Sequence, residues 1–169
     1  MPDHTLFHPR HWPAWLAIAL LRLLALLPLE WLLQLANAIG ALLILLPGRR
    51  QQITLANIRL CFADLPAPAQ RRLARQSLAA TVMGVFETAV SWWASDRRLA
   101  GRFSIEGGHL LQQAAHQGQG VLLLGLHFTS LELAGRLLRQ QHDVDVTYRR
   151  QNHVLFDYFL ARHRRRRFA

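Results

Sequence analysis

The chain is 169 residues long, carries a formal charge of +10 and is 51% hydrophobic. That length suits one domain and an appendage, at about 150 residues per domain, and excludes a string of domains. The single cysteine, Cys61, excludes an internal disulfide framework.

All 20 basic side chains are arginine. Its planar fork matches phosphate and carboxylate, so phosphorylated partners are favoured; a biased genomic base composition yields the same usage. Cys61 lies between Leu60 and Phe62 and is expected to be a buried, inert thiol.

Met1 to His11 form a polar lead. His4, His8 and His11, with Asp3, could ligate a metal on a helix, but Pro2, Pro9 and Pro13 argue against one, and a mobile tail is expected. From Trp12 to Leu46, leucine and alanine dominate, with Trp12, Trp15 and Trp31 interspersed. Arg22, Pro28 and Glu30 divide this stretch. Two arrangements fit: one tilted transmembrane helix kinked at Pro28, or a helical hairpin lying in the membrane interface. A core hairpin is the alternative without a membrane. Arg49 and Arg50 follow Pro47-Gly48, where they would meet lipid phosphates or hold the remainder of a spanning chain in the cytoplasm.

Gln51 to Phe62 reads as a short amphipathic helix. A long helix then runs from the Pro66–Pro68 turn to about Ala94. Ala74, Leu78, Val82, Val85, Ala89 and Trp92 recur at three- and four-residue steps and mark its buried face. Arg71, Arg72 and Arg75 sit near its start, where the macrodipole disfavours cations. Glu87 falls in its apolar half and must be paired or functional. Phe103 to Glu106 predicts a short strand, His109 to Gln117 a helix ending at Gly118, and Val121 to Leu126 a second strand. Ser130 to Gln141 predicts a helix, Asp143 to Tyr148 a third strand, and Val154 to Arg162 a last helix. Strand, helix, strand in this order implies a parallel unit with a right-handed crossover. The expected fold is therefore α/β: membrane-anchoring helices in residues 1–48, then a partial domain with a partly parallel sheet in residues 49–169. Three strands are few for such a sheet, so the domain is expected to be truncated after its first half.

The chemistry concentrates at Gly120-Val121-Leu122-Leu123-Leu124-Gly125-Leu126-His127-Phe128-Thr129-Ser130-Leu131-Glu132. His-x4-Asp/Glu is weak alone: nine histidines and ten acids give about 0.5 such pairs by chance. Position adds the information. An apolar strand would end at His127, and open α/β sheets place ligand sites beyond such ends. Thr129 or Ser130 can cap the next helix, which puts Glu132 in its first turn. A carboxylate accepting from one ring nitrogen presents the other as a base. No serine or cysteine nucleophile stands out, so His127 would deprotonate an acceptor hydroxyl that attacks an activated acyl group. A structural histidine capped by Glu132 fits the same pattern.

His127-Phe128-Thr129-Ser130-Leu131-Glu132-Leu133-Ala134-Gly135 resembles the signature of the lipid A late (secondary) acyltransferases, nearest the lauroyltransferase type, within the lysophospholipid acyltransferase superfamily. Asn57-Ile58-Arg59-Leu60-Cys61-Phe62, Glu87-Thr88, Ile105-Glu106-Gly107 and Thr147-Tyr148-Arg149-Arg150-Gln151-Asn152 resemble further positions in the same order. The resemblance implies transfer of a fatty acyl chain from acyl carrier protein to a hydroxyl of a Kdo-bearing lipid A precursor. The site would be the cytoplasmic face of the bacterial inner membrane, in contact with phospholipid. It implies His127 as base and Glu132 as its partner, with Arg149 and Arg164 near substrate phosphate or acyl carrier protein. No metal or cofactor is implied beyond the acyl donor as co-substrate. Arg150-Gln151 stands where the family has Pro-His, a departure at the acceptor contacts; members also continue further, so the chain alone is expected to be inactive.

Two other readings compete. A glycerolipid acyltransferase would share the pair, but the Phe-Thr-Ser-Leu spacer and Tyr148-Arg149 fit lipid A enzymes better. A non-catalytic basic protein binding membrane or nucleic acid would use the +10 charge and the Arg164–Arg167 cluster. That cluster lacks interleaved aromatics, so no nucleic-acid partner is expected.

Overall fold

The computed structural model describes residues 4–147 and 149–168, with side chains for 6–147 and 149–165. Two 3-10 turns, His4–Phe7 and Pro9–His11, lead into α1 (Trp12–Leu24) and α2 (Leu29–Leu43). Then follow α3 (Arg49–Cys61), α4 (Ala67–Trp93), α5 (Asp96–Leu99), α6 (Gly108–His116), α7 (Leu131–Arg139) and α8 (Val154–Phe168).

Helix α4 is the axis. Alanine and glycine let neighbours come close: a Cβ placed on Gly40 would lie 2.7 Å from the Ala79 backbone nitrogen and Cβ. Helix α2 therefore packs antiparallel along α4, with Leu32 and Ala36 against Phe86 and Val90 in the buried core. Burying a side chain such as Leu32 contributes about 1.5–3 kcal/mol. Ala94 and Leu99 close one end of this core, and Leu133 and Leu137 of α7 pack against it. The core thus joins side chains from both sides of residue 48. Helix α4 buries more than the one face its periodicity marks. Ala74, Leu78, Ala89 and Trp92 are buried as expected, whereas Val85 is exposed and Phe86, Val90 and Ser91 are buried as well. A central helix meets neighbours on several sides.

The sheet does not form. Among the described residues there is no strand, which overturns the α/β expectation. Phe103–Ile105, Val121–Leu126 and Asp143–Thr147 are irregular, and Tyr148 lies outside the described residues. A strand exists only where a neighbour takes its backbone groups. Among the described residues, the N–H groups of Val121 to His127 have no backbone partner. Leu122 and Leu124 stand 96% and 89% exposed. The helices around these segments do follow local signals. Helix α6 ends in a Schellman motif: Gly118, at φ +68°, and Gln119 donate to Ala115 and Ala114 carbonyls at 3.0 Å each.

The N-terminal apolar stretch is two helices, not one span. Helix α1 has 13 residues and α2 has 15, about 20 and 22 Å, against about 30 Å of hydrocarbon. Among the described residues no helix is long and apolar enough to cross a membrane, which removes the transmembrane reading. The break is held from outside. Arg98 donates to the carbonyls of Ala25 and Leu27, and Arg102 pairs with Glu30 at 2.7 Å. From His4 onward the polar lead is folded as well: Leu6 is buried, its carbonyl accepts from Trp15 Nε1 at 2.9 Å, and Phe7 stacks on Trp15. Asp3 and the His4 side chain lie outside the described residues. Cys61 is exposed at the end of α3, contrary to expectation. It follows the last buried position of that helix, Ile58, after only three residues.

Candidate functional site

The site is assembled where the C-terminal half of α4 meets α7 and α8. Three ties fix α7 to α4. At Gly84 the chain before α7 comes so close that a Cβ would lie 2.7 Å from Thr129 Cβ and its carbonyl oxygen. Ser91 Oγ donates to the Glu132 carbonyl at 3.0 Å. Arg136, 2% exposed, donates to the carbonyls of Val90, Ser91 and Ala94 at 3.1, 2.9 and 2.8 Å, and it pairs with Asp96. A helix end leaves carbonyls without intrahelical donors. Here one buried guanidinium serves Ser91 and Ala94 and adds a second donor to Val90, whose carbonyl also accepts from the Ala94 N–H at 2.9 Å; the negative end of the α4 dipole and the Asp96 carboxylate offset its charge.

Helix α8 completes the frame through aromatic contacts. His163 is buried and stacks on Trp92, with ring centroids 5.3 Å apart and planes within 2°. Phe159 touches Trp15, Trp92 and Trp93. This stacking sets the register that turns the next residue, Arg164, toward α7.

Glu132 sits in the first turn of α7, where the helix dipole favours a carboxylate. It is paired with Arg164. Nη2 meets Oε1, and Nε lies 3.4 Å from Oε2, so the fork engages both oxygens. The side chains are 19% and 24% exposed. Both line an open cleft of about 1420 Å³, whose wall also includes Leu126, Phe128 and Leu131. His127 is exposed, and among the described residues no hydrogen bond joins it to Glu132. Arg149, between Glu132 and Arg164 in the chain, is exposed; its carbonyl accepts from Gln151 Nε2 at 3.2 Å. Ser130 occupies the N-cap position of α7 without a side-chain capping bond. Among the described residues no group of three His, Cys, Asp or Glu side chains is placed to hold a metal ion.

The structure thus brings Glu132 and Arg164 together and leaves His127 and Arg149 at the surface. Sequence reasoning missed Gly84, Ser91 and Arg136. Arg136 carries the one local signal, a charge set between Leu133 and Leu137 on the apolar side of α7. Glu87 was singled out, and it lies one turn from both Gly84 and Ser91, half-buried. Burial pushes its carboxyl above the usual range.

Residues 2–168 match the family model for bacterial lipid A biosynthesis acyltransferases. The chain is 33% identical over 159 residues to the lipid A biosynthesis palmitoleoyltransferase of Escherichia coli, covering 94% of this chain and 52% of that protein. It is 32% identical over 154 residues to the E. coli lauroyltransferase, covering 91% and 50%. It is 31% identical over 160 residues to a lipid A biosynthesis acyltransferase of Haemophilus influenzae, covering 94% and 51%. The chain spans about half the length of these curated relatives. No solved structure matches it. The chain belongs to the bacterial lipid A biosynthesis acyltransferase family.

Proposed function

We propose that this family member supplies the base and the carboxylate of a site that moves a fatty acyl chain from acyl carrier protein to a hydroxyl of a Kdo-bearing lipid A precursor. His127 accepts the hydroxyl proton as the oxygen attacks the activated acyl carbonyl. A carbon–oxygen bond forms, the bond to the carrier breaks, and the imidazolium returns its proton to the leaving group. Glu132 stabilises that imidazolium and sets its tautomer. Arg149 and Arg164 contact substrate phosphate or acyl carrier protein, and both present the planar fork that phosphate fits. The carrying observation is Glu132 itself: a partly buried carboxylate in the first turn of a helix tied to α4, five residues after an exposed histidine and at the wall of a cleft.

The reaction is placed at the cytoplasmic face of the inner membrane. Trp12, Leu16, Leu20 and Leu23 recur at four- and three-residue steps along α1, and each is more than half exposed. Such an outward apolar face suits a helix lying in the interface, with phospholipid as its partner.

The relatives are about twice as long, so turnover by residues 1–169 alone is expected to be negligible. The test is a chimera in which these residues replace the matching half of the E. coli lauroyltransferase. Acyl transfer to a Kdo-bearing acceptor should appear and should fall about 10²–10⁴-fold with His127→Ala. An active chimera indifferent to that change would reject His127 as the base.

A further inference from the structure

We propose that Arg164 is a positioning residue that acts through Glu132: it holds the carboxylate away from His127 until a phosphate group on the acceptor takes its guanidinium and releases Glu132 to the imidazole. The inference rests on the acyl-transfer reading above and adds an order of assembly to it.

Four observations carry it. First, the Arg164 fork occupies both Glu132 oxygens, while His127 stands exposed and unbonded to that carboxylate. Second, the two ends of the pair are held independently of each other. The Glu132 backbone is fixed by Ser91 and by the Arg136 tie of α7, and the Arg164 backbone by the stacking of His163 on Trp92. Loss of the Arg164–Glu132 pair therefore leaves both backbones in place. Third, the pair lines an open cleft, so an anion can reach the guanidinium. Fourth, phosphate and carboxylate present the same two-oxygen edge to arginine. A phosphate monoester carries about −1.5 to −2 charges near neutral pH against −1 for Glu132, so it competes well. Besides the arginines, of which α7 carries Arg136 and Arg139, the other titratable groups on the helices around the pair are Glu87 on α4 and Asp157, Tyr158 and His163 on α8, and all stay constant in the test.

The experiment follows the His127 imidazole by NMR in the chain itself, identified as the resonance lost in His127→Gln. The probes are inorganic phosphate and glucosamine 1-phosphate, with chloride as the ionic-strength control. In the unmodified chain either phosphate should raise the His127 titration midpoint by about one pH unit, the shift expected when a carboxylate arrives within bonding reach. Chloride should not. Glu132→Gln should abolish the response. Arg164→Gln should raise the midpoint without phosphate and leave nothing further to gain. Arg164→Lys, which keeps the charge and loses the fork, should respond partially, and the unmodified chain reports even where Arg164→Gln fails to fold.

A midpoint in the unmodified chain that neither inorganic phosphate nor glucosamine 1-phosphate moves at saturation overturns the proposal. So does a response that survives Glu132→Gln, because phosphate would then be acting on the imidazole directly. A response to glucosamine 1-phosphate alone would keep the release and confine it to sugar-borne phosphate. Failure here, with a chimera that still depends on His127, removes the Arg164 role alone. Indifference of the chimera to His127→Ala removes the underlying site.

Discussion

Gly84→Ala tests whether the segment after His127 is seated on α4. Alanine is the better helix former, so at an open helical position the change would stabilise the protein by about 1 kcal/mol. At Gly84 the new Cβ would lie 2.7 Å from Thr129 Cβ, 2.7 Å from its carbonyl oxygen and 3.1 Å from its carbonyl carbon. Two of those three atoms are backbone, so no rotamer change relieves the overlap. Forcing an extra methyl into such a contact costs about 1–3 kcal/mol, and where backbone must shift the upper half of that range applies. The net expectation is a loss of about 1–2 kcal/mol. For a chain of this size each kcal/mol moves Tm by about 2–4 °C, so Gly84→Ala should melt lower by about 2–8 °C. Gly120→Ala is the control, because nothing lies within 4 Å of its Cβ, and it should be neutral or slightly stabilising. Thermal and urea unfolding followed by circular dichroism read both. A Gly84→Ala protein that melts higher than the parent would refute the contact, and with it the anchoring of the His127 loop.

Arg136→Met removes the donor to three carbonyls at the end of α4, and hydrogen bonds to a charged group contribute about 1.5–3 kcal/mol each before compensation by water. A loss of about 2–4 kcal/mol in urea unfolding is expected, and a change below 1 kcal/mol would show that water serves those carbonyls as well. Glu87→Gln should stabilise at neutral pH. Burial raises the folded-state pKa of Glu87 above the usual carboxylate range, so its contribution is fully present in acid and is lost as pH rises through the raised value. The advantage of glutamine should therefore be seen at pH 7 and vanish at pH 4; a constant difference would assign it to packing. Replacing Leu16, Leu20 and Leu23 by serine should weaken binding to phospholipid vesicles by about tenfold or more per residue, measured by flotation. Equal flotation by the parent and the triple variant would end the interfacial role of α1.

Helices were legible because their signal is local. The three-to-four-residue steps in α4, the cap chemistry at Gly118 and the apolar spacing in α7 each act within one or two turns. The strands were misread because an apolar run states a tendency and leaves the partner unspecified. Val121 to Leu126 is an apolar run of strand length, yet it is exposed and its N–H groups have no backbone partner among the described residues. The choice between one span and a hairpin stayed open in the sequence for a related reason. Leucine density does not show that Arg98, 73 and 71 residues along the chain, closes the break at Ala25 and Leu27.

The candidate site divides along the same line. His127 and Glu132 were visible through a spacing of five, and Arg164 through resemblance. That Arg164 takes hold of Glu132 depends on α8 folding back over 32 residues, which no window of sequence contains. The resulting asymmetry has a physical cause. Glu132 rides on a helix fixed by Gly84, Ser91 and Arg136, so its backbone position is determined three times over. His127 ends a segment whose N–H groups have no backbone partner among the described residues, and its ring lies in solvent. On the proposed mechanism, a base on the less constrained element would reach an acceptor hydroxyl with small local rotations, while the acid that orients it keeps its place. Exchanging those roles would require a whole helix to move for each proton transferred.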